Sequence, residues 1–488
     1  MEERKGFGTN FGFLMASVGS AVGLGNIWGF PNKMGASGGF TFLIVYLVLA
    51  VLCGFIVMVS ELALGRKTGK GVVSAYQALS KRFKWVGWLG ILSPFFILFF
   101  YCALGGYCIK YTILNIGDLF HASFGANALA ETAVANGHSL GAEVFGTFMA
   151  NPTEAVIFGL IFVALTMLIV MGGVSGGIEK VCSVGMPALF VMLLICIIRA
   201  CTLEGAVEGL KYMFVPGWAV ANGVIDKAPN FFGVLSAAGG QMFFSLSLGM
   251  GIMITYGSYL DKKENLQKNA LLIIIMDTLV ALMAGLCVIP GRFALDPTGS
   301  LGGPKLLFVT MQNVFSRMGP IGPIFGILFY LLVVFAAISS SISLLEAVVA
   351  HFVDNARDAG KGDKRKAYAL IGAVAVGVGA MLICADSLGD ASFTPWRLLN
   401  LPAESIRTWN DCWLDFFDML SEGIMMPLGA LMMTLMVGWE LGPDVVKEEC
   451  EASGHAMASY GFYKVCIKYI TPLCMILVLY GQIKEFFF

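Results

Sequence analysis

The chain has 488 residues, 58% of them hydrophobic and 13% charged, with a net charge of −1. A soluble globular chain carries about 25% charged residues, so polar surface is too scarce here to cover a water-exposed body of this size. The near-neutral balance supplies no basic field for nucleic acid, and a mean hydropathy of +0.81 points to an integral protein of the lipid bilayer.

The charged N-terminus, Met1 to Gly6, leads into an apolar run too long and too glycine-rich for the core of a signal peptide, so it reads as a first span. A span needs roughly 20 mostly apolar residues. Segments that qualify run near 11–38, 40–65, 86–115, 153–172, 178–202, 232–259, 269–294, 322–352, 367–385, 413–438 and 461–483, which makes eleven. Cations alternate between the loops. Arg4 and Lys5 precede span 1, Arg66 to Lys84 lie between spans 2 and 3, Lys262 to Lys268 follow span 6, and Arg357 to Lys366 follow span 8. The intervening loops are longer and carry few. The bias puts the N-terminus in the cytoplasm and, after an odd number of spans, the C-terminus outside. No acceptable glycosylation sequon occurs, in agreement with a bacterial inner (cell) membrane.

Span 1 contains Gly19-Ser20-Ala21-Val22-Gly23-Leu24-Gly25-Asn26, with Pro31 following. Gly19 and Gly23 alone fit close helix packing. The addition of Gly25-Asn26 favours a real break, since each glycine weakens a helix by about 1 kcal/mol. Glu61 in span 2 is placed to satisfy the freed backbone of such a break rather than to act as a ligand. Span 5 carries Gly177 and Pro187, which suit either a static kink or a segment that unwinds. Span 6 is interrupted at Phe244-Ser245-Leu246-Ser247-Leu248-Gly249-Met250-Gly251. Broken helices in bilayers are tolerated where they line a cavity, and paired breaks in corresponding spans point to a transporter site. Half-helix N-termini offer N–H groups to a carboxylate, and freed carbonyls offer oxygen to a cation.

Span 7 holds Asp277 among apolar residues, a costly placement that argues for function. Span 8 carries Ser339-Ser340-Ser341-Ile342-Ser343, a density of hydroxyls that suits a cavity wall as well as back-bonding to the helix. The acidic stretch 441–459 reads as a solvated connector. The cysteines fall mostly in apolar runs and behave as small hydrophobes. No nucleophile–base pair or metal spacing suggests an enzyme, and no repeated pore loop suggests a channel. A sensor that binds without transporting would use the same residues.

Ala21 to Trp28 with Phe30-Pro31, continued by Gly173 to Pro187, Gln241 to Gly251, Ile254 to Tyr259 and Ser339 to Glu346, resembles the signature of the neurotransmitter:sodium symporter family. Within it the chain looks like the bacterial eleven-span amino-acid transporters. The resemblance implies an all-α integral membrane protein with the leucine-transporter fold, a 5+5 inverted repeat with discontinuous helices 1 and 6. Residues 1–202 would form the first repeat, 203–231 an extracellular loop, 232–440 the second repeat, and 441–488 a cytoplasmic loop and span 11.

The same resemblance implies sodium-coupled, chloride-independent symport of an amino acid by alternating access, with two sodium ions. One sodium would be held by Ala21, Asn26, Ser245 and Asp277, the other by Gly19, Val22, Ala336, Ser339 and Ser340. The substrate would meet Ala21, Leu24, Gly25, Ile97, Tyr101, Phe244, Ser245, Ser247, Met250, Ser340 and Leu344. That lining, with flexible Met250, favours a bulky hydrophobic or aromatic side chain. Arg4, Ser258, Tyr259 and Asp354 would form a cytoplasmic gate, and Gly177 and Pro187 an unwinding element. At the outer gate Gly29 stands where the family usually has an arginine, so Asp418 lacks that cation; Asn10 is a second departure. Monomer and dimer both remain open.

Overall fold

The computed structural model describes residues 7–300, 303–361, 364–400 and 411–487, so Arg4 lies outside the described residues. All regular structure among them is helical. Nine of their helices are long and apolar enough to cross a membrane: Phe40–Thr68, Val86–Leu119, Pro152–Met171, Val174–Cys201, Leu266–Leu295, Gly319–Asp358, Arg365–Gly389, Trp413–Leu441 and Tyr460–Lys484. These are spans 2 to 5 and 7 to 11. Span 1 is a tenth, formed by Asn10–Ala21 and Gly25–Ala36 and bent by 44° at the break. Span 6 is an eleventh in two pieces, Phe231–Ser245 and Ile252–Gly257, each shorter than the roughly 20 residues a crossing needs. The expected number of spans and both expected interruptions are present.

Spans 3 and 8 form the wall on which the site is built. Span 3 is a 34-residue helix, about 50 Å long at the usual rise, and it packs along span 8. The first half of span 1 lies against spans 5, 7 and 8, and the second half of span 6 against span 2. The side chains of both breaks are therefore buried inside the bundle, although most of spans 4 and 5 faces outward with apolar residues such as Leu168 and Ile198.

One loop departs from the sequence expectation. Residues 444–451 of the acidic stretch form the helix Asp444–Glu451, whose Val446, Glu449 and Cys450 are buried. Arg66, at the end of span 2, is itself buried and donates from Nε to Glu449 Oε1 at 2.7 Å. A buried guanidinium needs a paired carboxylate. That requirement docks the loop, and composition alone does not reveal it.

Candidate functional site

The break in span 1 has a specific hydrogen-bond origin. In an unbroken helix the amides of Gly23, Leu24 and Asn26 would bond the carbonyls of Gly19, Ser20 and Val22. Instead Gly23 N donates to Asn26 Oδ1 at 3.0 Å, Leu24 N to Tyr101 Oη at 2.7 Å, and Asn26 N to the Gly23 carbonyl at 3.2 Å. Val22 is extended at φ −77° and ψ 103°. Gly23 is required by proximity: a Cβ there would run into Tyr101 Oη and Ser340 Oγ.

The released carbonyls converge on span 8. Ser340 Oγ lies 3.2 Å from Gly19 O, 3.0 Å from Ser20 O and 3.4 Å from Val22 O. Ser339 Oγ lies 3.3 Å from Val22 O and 2.9 Å from Ala336 O. Each hydroxyl has a single proton to donate. The oxygens outnumber the protons between them, and a hard cation is what such an excess of oxygen suits.

A second oxygen cluster surrounds Asp277, whose side chain is fully buried. Asn26 Nδ2 donates to its Oδ1 at 2.7 Å, Ser245 Oγ to its Oδ2 at 2.9 Å, and Tyr46 Oη to its Oδ2 at 3.3 Å. All three donors are neutral. Asn26 thus ties the break of span 1 to span 7 while its other amide atom caps Gly23.

Between the clusters lies a cavity of about 10 Å³ lined by Ala21, Gly25, Ile97, Tyr101, Phe244, Ser247, Met250, Ser340, Leu344 and Ser20. A cavity so small is at the threshold of holding one water. Its floor is the span 6 break, where Ser247 (φ +54°), Gly249 (φ +75°) and Gly251 (φ +72°) all have left-handed backbones. Ser247 Oγ donates to the Ser20 carbonyl at 2.9 Å, which offsets its uncommon conformation. Glu61 Oε1 accepts from Gly249 N at 2.8 Å, so it satisfies freed backbone of the span 6 break rather than of the span 1 break, where the sequence reading put it.

The sodium:neurotransmitter symporter family model matches residues 4–127 and 149–394. The chain belongs to this family. It is 32% identical over 482 residues to the sodium-dependent transporter YhdH of Bacillus subtilis, covering 96% of each chain. It is 28% identical over 487 residues to a sodium-dependent transporter of Haemophilus influenzae, covering 98% of each. The solved structure of MhsT in complex with L-phenylalanine superposes with a TM-score of 0.81 at 32% identity, over 98% of this chain and 100% of that one. The protein is therefore a multi-pass, sodium-dependent membrane transporter and not an enzyme.

In this symporter the residues expected at the ends of the pathway are distributed unevenly. Tyr259 Oη donates to Glu346 Oε1 at 2.6 Å, and Arg365 Nη2 donates to the same carboxylate oxygen at 3.0 Å. Ser258 Oγ donates to the Thr255 carbonyl at 2.5 Å, and Asp354 Oδ2 accepts from Gly71 N at 2.9 Å. Gly177 and Pro187 sit in a continuous helical stretch, the π-helical turn Val174–Ile178 followed by Glu179–Cys201.

Four residues escape the sequence reading, the first being Tyr46, whose hydroxyl reaches Asp277 from an unremarkable apolar stretch of span 2. Ser20 lines the cavity, but a serine bonded to its own helix looks the same in sequence. At the end of the bundle opposite Tyr259, Lys33 is paired with Glu422. Each stands four residues after a position already singled out, Gly29 and Asp418, and that one-turn offset is the signal that was available. Asn10, the other departure, has an amide oxygen that accepts from Asn269 Nδ2 at 3.2 Å.

Proposed function

We propose that this transporter is a chloride-independent symporter that couples two sodium ions to uptake of an amino acid with a bulky hydrophobic or aromatic side chain. The observation that carries the reading is Asp277: a fully buried carboxylate with three neutral hydrogen-bond partners. Buried charges are paired or hold metal ions, and a sodium ion beside Asn26 Oδ1, Ser245 Oγ and the Ala21 carbonyl would supply the missing charge. A fixed carboxylate at this place also removes the need for a bound chloride to offset sodium.

The second sodium takes the carbonyls of Gly19, Val22 and Ala336 with the hydroxyls of Ser339 and Ser340. The substrate carboxylate faces the first sodium, the amides of Leu24 and Gly25 and the hydroxyl of Tyr101, where the half-helix dipole favours an anion. Its amino group meets the carbonyls of Ala21, Phe244 and Ser247. Its side chain occupies the space of Met250, whose unbranched thioether repacks easily on a backbone hinged by Gly249 and Gly251. A bulky cargo requires that repacking, because the cavity between the fixed walls of Ile97, Ser340 and Leu344 is small.

The loop charges set the direction: the end bearing Arg66 and Arg365 is cytoplasmic, and residues 1–202 and 232–440 act as the two rocking repeats. Transport then alternates between closure at the Lys33 end and at the Tyr259 end, with Gly177 and Pro187 letting span 5 unwind to release the second sodium inward. Uptake of labelled amino acids into proteoliposomes tests the reading. Accumulation of large apolar amino acids should require a sodium gradient and persist when gluconate replaces chloride. Sodium-independent uptake of every amino acid, or collapse of uptake in gluconate, would overturn it.

A further inference from the structure

A larger cavity lies away from the central site, at the end of span 3 opposite the cationic loops. Its volume is about 310 Å³, and it shares no lining residue with the cavity between the two breaks. Asn115 and Asp118 come from span 3, His121 from the turn after it, Gln312 and Phe315 from the helix Met311–Arg317, and Pro323 from the mouth of span 8. The space is far larger than the roughly 30 Å³ share of one water. A bare ion would not fill it.

Its polar atoms are arranged with acceptor and donor capacity unspent. Asp118 is buried, and its Oδ1 accepts from Asn127 N at 2.7 Å; the described residues offer no donor to Oδ2. Gln312 is 1% exposed, and its Oε1 accepts from Asn115 Nδ2 at 3.0 Å, yet no described residue accepts from its Nε2. With its other amide atom already engaged, Nε2 is free to donate to an occupant with an acceptor oxygen. Asp118 is the only carboxylate among the lining residues, and His121, within electrostatic reach of it, is the only lining side chain able to carry positive charge; with no lysine or arginine there, an ammonium group complements the carboxylate. The ring of Phe315 and the carbons of Pro320 and Pro323 form an apolar wall suited to a short carbon chain and to a cation over an aromatic face.

We propose that this cavity is a second binding site, distinct from the transport site, for a small organic ammonium compound carrying a hydroxyl or similar acceptor. The ammonium meets Asp118 Oδ2 and the acceptor meets Gln312 Nε2. Because the occupant touches span 3, the helix Met311–Arg317 and span 8 together, it fastens the outer loops to the wall of the bundle.

Thermal unfolding and calorimetric titration of the purified full chain test the site, with 2-aminoethanol as the probe and 1,2-ethanediol as its uncharged control. The amine should raise the unfolding temperature saturably, and the diol should not. Asp118→Asn and, independently, Gln312→Leu should each weaken amine binding about tenfold or more, as loss of a hydrogen bond to a charged or buried group predicts. Sodium-dependent stabilisation by the cargo amino acid, retained in both variants, reports that they fold. A cavity that holds only water gives no saturable amine signal, and that result overturns the proposal. So does equal binding of the diol, unchanged binding in both variants, or competition between the amine and the cargo. If no amino acid binds while the amine does, the transport reading fails and the second site stands.

Discussion

Lys33, on the second half of span 1, pairs with Glu422 on span 10, one turn beyond Gly29 and Asp418 in each helix. The place a longer side chain would take at Gly29 is filled by Gln241: its Oε1 lies 2.8 Å from where a Cβ would stand, and its Nε2 donates to the Gly25 carbonyl at 2.6 Å. Lys33 is also within electrostatic reach of Asp418. A cation is thus present one turn along the helix from the position where the family resemblance implies one.

Breaking that pair should loosen the outer end without removing the binding site. Glu422 is 7% exposed and Lys33 23%, between a surface pair, worth up to about 1 kcal/mol, and a buried one whose disruption costs about 3–5 kcal/mol. Lys33→Met should therefore increase the labelling rate of a cysteine introduced in the outer pathway by roughly tenfold, in line with about 1.4 kcal/mol. The double variant Lys33→Glu with Glu422→Lys should restore much of the protection. Equal labelling of wild type and Lys33→Met would show that the pair does not close this end.

Gly23 gives a steric test. Alanine normally stabilises a helix relative to glycine, but here its methyl would strike Tyr101 Oη and Ser340 Oγ. Overpacking of this kind costs about 1–3 kcal/mol, and both struck groups belong to the proposed binding site. Gly23→Ala should lower the unfolding temperature and cut sodium-dependent amino-acid binding at least about tenfold. Gly146→Ala, where a Cβ meets no atom within 4 Å, should leave binding unchanged.

How much of this was readable in the sequence follows from where each signal originates. Asp277 and Ser339 to Ser343 stand out because a charge or a run of hydroxyls in a bilayer span is costly. The breaks stand out because glycine and asparagine disfavour helix locally. Lys33 and Glu422 did not, since their pairing depends on how span 1 rotates against span 10, and neither helix's own pattern carries that information. Glu449 was hidden for a similar reason: its burial is imposed by Arg66, which is 383 residues away in the chain.

Asp277→Asn separates charge from shape. Asparagine can keep a carbonyl towards Ser245 and Tyr46 but supplies no negative charge for sodium. The sodium concentration for half-maximal amino-acid binding should rise about tenfold to a hundredfold, the range of roughly 1.4–2.8 kcal/mol for one lost charge interaction. Tyr46→Phe, which removes only the longer contact of 3.3 Å, should raise it far less. An unchanged sodium requirement in Asp277→Asn would remove Asp277 from the sodium site.

The start of the described chain is held by one carboxylate. Glu179 Oε2 accepts from Gly8 N at 2.7 Å, while its Oε1 accepts from Thr9 N at 3.2 Å and Thr9 Oγ1 at 2.9 Å. Glu179 directly follows the π-helical turn Val174–Ile178 and lies within the Gly177–Pro187 segment proposed to unwind. Unwinding there would move the carboxylate and release residues 8–12, so the clasp and the helix should open together. Glu179→Ala removes all three hydrogen bonds. Amide exchange should then accelerate about tenfold in both residues 8–12 and 177–187, as expected when local opening becomes easier by about 1.4 kcal/mol. Potassium in place of sodium should produce the same paired acceleration in the wild type if the second sodium stabilises the wound form. Faster exchange confined to residues 8–12 in both experiments would mean that the clasp is only a tether and that span 5 stays wound.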